Sequence, residues 1–324
     1  MRTKRISKAL FLVAVFSLFI TGAALAADFP TQPVNLVVPY PPGGSADLPV
    51  RAISDKMSEK LGVPVVVVNK PGSGGLVGGQ FVATSKPDGY NILELSLSHV
   101  VRQTIDPKMP FDVFKDFEHI CQFFAQSIFL ITGKDSKFKT IEDMIDFGKK
   151  NPGKLSFSHS GIGTTGHFCL ELIKREVKID FKLVPFSGGE AQGMTALMGG
   201  HIDGSIVGLV GFVGKQDVVR PLACFDKTRT PLMEDVPTFV EKGYPDVVMD
   251  AWFSFAAPAG TPKEIIEKLD DAFRAAIKDP ASQVAFKKLS LREVYKGPTE
   301  FQQVLRSEYV RIDGIAKGAG ITVK

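Results

Sequence analysis

Four glycine- and hydroxyl-rich loops are the segments best equipped for chemistry. They are Pro39-Tyr40-Pro41-Pro42-Gly43-Gly44-Ser45-Ala46-Asp47, Pro71-Gly72-Ser73-Gly74-Gly75, Ser158-His159-Ser160-Gly161-Ile162-Gly163-Thr164-Thr165 and Pro185-Phe186-Ser187-Gly188-Gly189. The chemistry they share is anion capture. A helix N-terminus offers unpaired N–H groups and a positive dipole end. Glycine admits a ligand close to the backbone, and hydroxyls add donors without adding charge. A single such loop reads first as a tight turn. Two of them, the first and third, in matching places of two αβ blocks point to one anion clamped between two lobes.

Other chemistries fit less well. Gly161-x-Gly163-x-x-Gly166 with Asp180 matches the dinucleotide fingerprint in spacing. Yet Asp180 precedes the next strand, where the ribose-binding acid should end it, and the strand Leu155-Ser156-Phe157-Ser158 is unusually polar. Gly43-Gly44-Ser45-Ala46-Asp47 only approaches a nucleophile elbow, so an exported α/β hydrolase using the same cleft is the alternative. No metal motif and no phosphate loop is present, and no cofactor or metal is expected. His159 and His167 flank the third loop; His119 reads as surface and His201 as a turn residue. The 25 Phe far outnumber the 5 Tyr and 1 Trp, which indicates core and no stacking platform for nucleic acid. Trp252 reads as packing between lobes.

These loops need strands before them and helices after them. Val34 to Val38, Val65 to Val68 and Asn91 to Leu95 read as strands, with helices at Ala46 to Leu61 and Leu76 to Thr84 between them. This βαβαβ order implies a parallel sheet, and the wholly apolar Val65 to Val68 suggests cover on both faces. A second block follows. Its strands are Ile128 to Thr132, Leu155 to Ser158, Phe181 to Val184, Ile202 to Val207 and Val219 to Phe225. Its helices run from the capping box Thr140-x-x-Asp143 to Lys150, over Thr165 to Val177 and over Gly189 to Met198. The strand Trp252 to Ala257 precedes a turn with Thr261 as N-cap and Pro262 at N1. Helices over Lys263 to Lys278, Pro280 to Leu289 and Thr299 to Lys317 end the chain.

The chain has 324 residues, with 39 Lys+Arg against 35 Asp+Glu. Arg2, Lys4, Arg5 and Lys8 account for the whole excess of +4, so the rest is formally neutral and no basic surface for nucleic acid is expected. That basic start, the apolar run Ala9 to Ile20 and the small residues Ala24-Leu25-Ala26 read as a secretory signal peptide, residues 1–26. The apolar run falls short of the ~20 residues a membrane span needs. The expected location is the periplasm, after cleavage near Ala26. The remaining 298 of the 324 residues suggest two lobes. Cys121, Cys169 and Cys224 form no Cys-x-x-Cys pair; they can be buried thiols or supply at most one disulfide.

With the loops laid out, the chain closely resembles the periplasmic substrate-binding receptors of tripartite tricarboxylate transporters, the Bug-type family. The ordered matches run from Val37-Val38-Pro39-Tyr40-Pro41-Pro42-Gly43-Gly44-Ser45-Ala46-Asp47 through Val68-Asn69-Lys70-Pro71-Gly72-Ser73-Gly74-Gly75 and Lys86-Pro87-Asp88-Gly89-Tyr90. They continue with Gly161-x-Gly163-Thr164-x-x-His167, Val184-Pro185-Phe186-Ser187-Gly188-Gly189, Gly199-Gly200-His201-Ile202-Asp203 and Ala257-Pro258-Ala259-Gly260-Thr261-Pro262.

The resemblance implies an α/β, two-lobed periplasmic binding protein fold with a mostly parallel sheet in each lobe and a cleft between them. The expected lobes are 27–127 plus 252–324, and 128–251. It implies a non-enzymatic receptor that captures a small organic carboxylate and delivers it to the transporter's membrane subunits. A monomer is expected, with no nucleic acid as partner. Carried over residue by residue, the ligand candidates are Gly43, Gly44, Ser45, Gly163, Thr164 and Thr165, with Asp47 orienting water or a ligand amine. Ser98, His99, Phe186 and Ser187 would shape the distal end, and Tyr40, Ser158, His167 and Asp203 complete the set. The chain departs from the family's pattern at Ser45-Ala46, where Gly-Thr is frequent, and at Phe186-Ser187, where Tyr-Lys is common. The segment Gly208 to Gln216 carries Gly211-Phe212-Val213-Gly214 in place of a usual proline-containing stretch. Ligand identity is therefore not inherited, and the altered wall gives less reason to favour a highly charged tricarboxylate.

Overall fold

The computed structural model describes residues 29–322, so the signal peptide expected over residues 1–26 lies outside the described residues. The first block runs β1 (Val34–Val38), α1 (Asp47–Leu61), β2 (Val65–Asn69), α2 (Leu76–Ala83), β3 (Asn91–Ser96), α3 (Leu97–Ile105) and β4 (Phe117–Gly133). The second adds α4 (Ile141–Lys150), β5 (Leu155–His159), α5 (Thr165–Val177), β6 (Phe181–Pro185), α6 (Gly189–Met198), β7 (Gly204–Gly208), α7 (Leu209–Phe212) and β8 (Val219–Cys224). The chain then returns through β9 (Asp250–Pro258), α8 (Lys263–Lys278), α9 (Pro280–Lys288), β10 (Arg292–Lys296) and α10 (Pro298–Ala319). No described helix is long and apolar enough to cross a membrane.

The molecule is a two-lobed α/β protein with a parallel three-strand core in each lobe. In the first, β1 pairs in parallel with β2 and β3. In the second, β5 pairs in parallel with β6 and β7. Antiparallel strands join the two cores. β9 lies between β3 and β4, and the ladder β2-β1-β3-β9-β4-β7-β5-β6 is continuous. The 17-residue β4 is shared: it pairs with β9 and β10 before Ile128, and with β7 and β8 from Ile128 onward.

Local chemistry explains where the elements start and stop. α1 ends on Gly62, whose φ of 73° is the left-handed conformation that a β-carbon disfavours. α4 opens on the Thr140–Asp143 capping box, and α5 on Thr164, whose side chain accepts the His167 N–H. The core is phenylalanine-rich as expected. Phe123 stacks on Phe255, which stacks on Phe273 with centroids 4.1 Å apart, binding β4, β9 and α8 together.

Several expectations are corrected. β2 is an edge strand with Val66 44% exposed, so its apolar run does not mean cover on both faces. Thr261 does not cap α8; its hydroxyl donates to the Pro258 carbonyl at 2.7 Å, and Pro262 takes the N-cap position. His119 is buried rather than exposed, with Nε2 2.9 Å from the Val113 carbonyl. α3, β10 and the first half of β4 escape the sequence pattern. In β4 the buried Gln122, Gln126 and Ser127 interrupt the apolar run that would mark a strand. All three cysteines are buried free thiols.

Candidate functional site

A cavity opens between the lobes at the carboxyl ends of the parallel strands, the usual ligand position in open α/β sheets. Its empty space, counting the open solvent at its mouth, is about 750 Å³. The loop after β1 contributes Tyr40, Gly44 and Ser45, and the start of α3 contributes Ser98. From the other side come Ser160, Thr165 and Gly166 after β5, and Gly188, Gly189 and Glu190 after β6. Trp252 and Phe253 of β9, with Ile128 and Ile206, form an apolar wall. A lining that combines hydroxyls with Trp252, Phe253 and aliphatic side chains suits a small amphipathic molecule.

Hydrogen bonds cross the cleft at three points. The Thr165 N–H donates to Ser98 Oγ at 3.1 Å, and the two hydroxyls lie 3.0 Å apart. Arg102 Nη1 donates to the Ile162 carbonyl at 2.6 Å, while its Nε is held by Asp106 at 2.7 Å. Ser45 Oγ donates to Glu190 Oε2. Backbone also approaches backbone: a β-carbon on Gly74 would sit 2.9 Å from the Ile162 carbonyl oxygen. Only glycine fits there.

Glu190 is the one charged side chain among the described residues that line the cavity. It lies in the first turn of α6, and its Oε1 is 3.5 Å from the Gly208 N–H. Burial pushes its pKa up, opposed by the hydrogen bonds from Ser45 and Gly208. The cavity contains no Lys, Arg or His side chain among those lining residues. Any anion it holds is met by hydroxyls and backbone, not by a positive side chain.

The sequence model described as the tripartite tricarboxylate transporter family receptor matches residues 50–321. The chain belongs to this family. A UPF0065 protein from the gbd 5' region of Cupriavidus necator is 33% identical over 282 residues, covering 86% of this chain and 85% of that protein. The periplasmic binding protein BugD superposes with a TM-score of 0.87 at 28% identity, covering 91% of this chain and 100% of its own. MatC from Rhodopseudomonas palustris, solved with bound malate, gives 0.82 at 26% identity over 89% and 99% of the two chains.

In this receptor, Tyr40, Gly44, Ser45, Ser98 and Thr165 line the cavity. The Tyr40 hydroxyl lies 3.2 Å from Ser96 Oγ, and burial keeps it protonated by raising its pKa. The other candidates stand behind the lining. Asp47 accepts from the Gly43 N–H at 2.8 Å, from Arg51 Nε at 2.8 Å and from Asn69 Nδ2 at 2.8 Å. Burial opposes its charge, but those donors hold its pKa below the usual range. It therefore shapes the first loop and is not aimed at a ligand amine. His99 closes the α3 capping box, accepting the Ser96 N–H at Nδ1 over 3.1 Å, and burial lowers its pKa to about 4.

Gly163 and Thr164 are outside the lining: Gly163 packs against Arg102, and the Thr164 side chain faces Gly74 of the first lobe. Thr164 Oγ1 donates to the Gly161 carbonyl at 2.7 Å. His167 is neutral, its pKa lowered to about 4 by burial and then by His159, Arg102 and Lys174. Ser158 is buried and donates to Ser205 Oγ at 2.7 Å. Asp203 accepts from the Ser156 N–H and hydroxyl, both at 2.9 Å, near the amino end of β5 and away from the cavity. Phe186 is half-buried in the second lobe's own core and Ser187 is exposed, so the cavity wall starts two residues later, at Gly188. Glu190, Ser160 and Gln126 are lining residues that sequence reasoning missed. An acid in a first helical turn reads as a complement to the helix dipole, which conceals its second role.

Proposed function

We propose that this chain is a periplasmic solute receptor that captures a small organic carboxylate between its lobes and delivers it to the membrane subunits of a tripartite tricarboxylate-type transporter. The observation that carries this reading is the cleft itself, lined by hydroxyls and helix starts from both sides and bridged by Ser98 and Thr165. The family assignment and the malate bound by MatC support a carboxylate as ligand. The lobes are taken as 27–127 plus 252–324, and 128–251, in line with the change of partners along β4. Closure is a hinge motion about the crossings near Ser127 and Asp250, with the protein acting as a monomer. Residues 1–26 act as the export signal.

Trp252 is the only tryptophan of the chain and stands in the cavity wall, so its fluorescence is a direct reporter. A screen of mono-, di- and tricarboxylates, aromatic acids, amino acids and neutral sugars, read by Trp252 fluorescence and thermal shift, tests the reading. At saturating ligand the melting temperature rises by mass action. A response to neutral sugars with none to any carboxylate would overturn it.

A further inference from the structure

We infer that Glu190 selects the ligand class: the cavity takes a zwitterion, one carboxylate with one ammonium group on an apolar body, in preference to a di- or tricarboxylate. This rests on the receptor reading above and narrows it. The first loop was the expected anion pole, yet Ser45 at the start of α1 already donates its hydroxyl to the Glu190 carboxylate, reaching across the cleft. A ligand carboxylate is then left with the other hydroxyls of the lining, among them those of Tyr40, Ser98, Ser160 and Thr165. For a second polar group of the ligand, Glu190 is the one charged side chain of the described lining to meet. With no basic lining side chain, a second ligand carboxylate there would be buried beside the Glu190 carboxyl with no lining cation to balance it. An ammonium group would instead form a charge-assisted hydrogen bond.

The surroundings hold Glu190 in place. A β-carbon on Gly211 would stand 3.1 Å from Glu190 Oε2 and 3.3 Å from Ser45 Oγ, so α7 packs directly on the pair. Lys215 lies outside the lining and donates to the Gly211 carbonyl at 2.9 Å. Trp252, Phe253, Ile128 and Ile206 supply the apolar body's contacts. Asp47, the other carboxylate near the first loop, is fully engaged by Gly43, Arg51 and Asn69 and leaves this role to Glu190.

The test is a titration, by Trp252 fluorescence and calorimetry, of matched probes of three to eight carbons. The probes are amino acids, the same acids without the amine, and the corresponding dicarboxylates. The expected tightest probe is an amino acid, at least tenfold tighter than its deaminated analogue. Glu190→Gln should bring that pair within about threefold and improve dicarboxylate binding, while Glu190→Asp keeps the amine preference. A dicarboxylate as the tightest wild-type ligand overturns the inference on wild-type protein alone. So does an amine preference that persists in Glu190→Gln. If no carboxylate of any class binds, the receptor reading itself fails.

Discussion

Gly163→Ala separates folding strain from closure strain at one atom. Gly163 has φ of 79°, and an added β-carbon would fall 2.3 Å from Arg102 Cδ and 2.7 Å from Arg102 Nη1. Two costs follow. The left-handed backbone costs an alanine roughly 1–2 kcal/mol wherever the loop keeps its shape, and that term lowers the melting temperature in any lobe arrangement. The overlap exists only when the lobes meet, because Arg102 belongs to α3 and Gly163 to the loop before α5. Arg102 must swing away and give up its bond to the Ile162 carbonyl. A hydrogen bond from a charged group contributes about 1.5–3 kcal/mol, so a cost near 2 kcal/mol weakens ligand binding by roughly 30-fold. The assay is calorimetric affinity and thermal melting of Gly163→Ala, Arg102→Ala and the double variant. In the Arg102→Ala background the alanine should still lower the melting temperature but add little further loss of affinity. An unchanged affinity in Gly163→Ala, or an equal further loss in both backgrounds, refutes the cross-cleft argument.

Two more outcomes are expected. Ser98→Ala deletes the partner of the Thr165 N–H and hydroxyl; at about 1 kcal/mol per bond it should weaken ligand binding roughly 5- to 30-fold with little change in the melting temperature of the unliganded protein. Unaltered affinity would show that these bonds do not contribute to closure. Asp250 lies opposite Ser127 where the chain crosses between lobes, and its pKa is raised to about 6 by burial and by Asp226, against the pull of Arg292. A carboxyl raised above its unfolded value of ~3.9 contributes stability at low pH that is lost as pH rises through about 6. The melting temperature of Asp250→Asn relative to wild type should therefore climb between pH 5 and pH 7. His99, His119 and His167, each lowered to about 4, make both proteins acid-sensitive alike and cancel in that difference. A pH-independent difference would remove Asp250 from the account.

Much of the fold was legible because its signals are local. The five residues Val34–Val38 form β1, and Thr165–Val177 and Gly189–Met198 form helices over the ranges their periodicity predicts. β4 was half-read for the opposite reason. Its early polar residues lie in the interior because β9 and β10 cover them, and neither neighbour is near in sequence. The loop chemistry was legible too, since glycine, hydroxyl and helix-start patterns need only a few consecutive residues. Those patterns directed attention to the carboxyl ends of the strands, where the cavity lies.

By itself, then, the sequence determined two αβ blocks, the hydroxyl-rich loops at their strand ends and an absence of net charge outside the first eight residues. The tertiary structure decided which residue of each loop faces the cleft and which faces its own lobe. Gly163 turns to Arg102, Asp47 to Arg51 and Asn69, and Thr165 to Ser98. It also decided the cavity's charge, by bringing Glu190 to Ser45 across 145 residues of chain. Helix and turn preferences act over one or two turns, whereas a cavity's field is a sum over side chains that only folding makes neighbours.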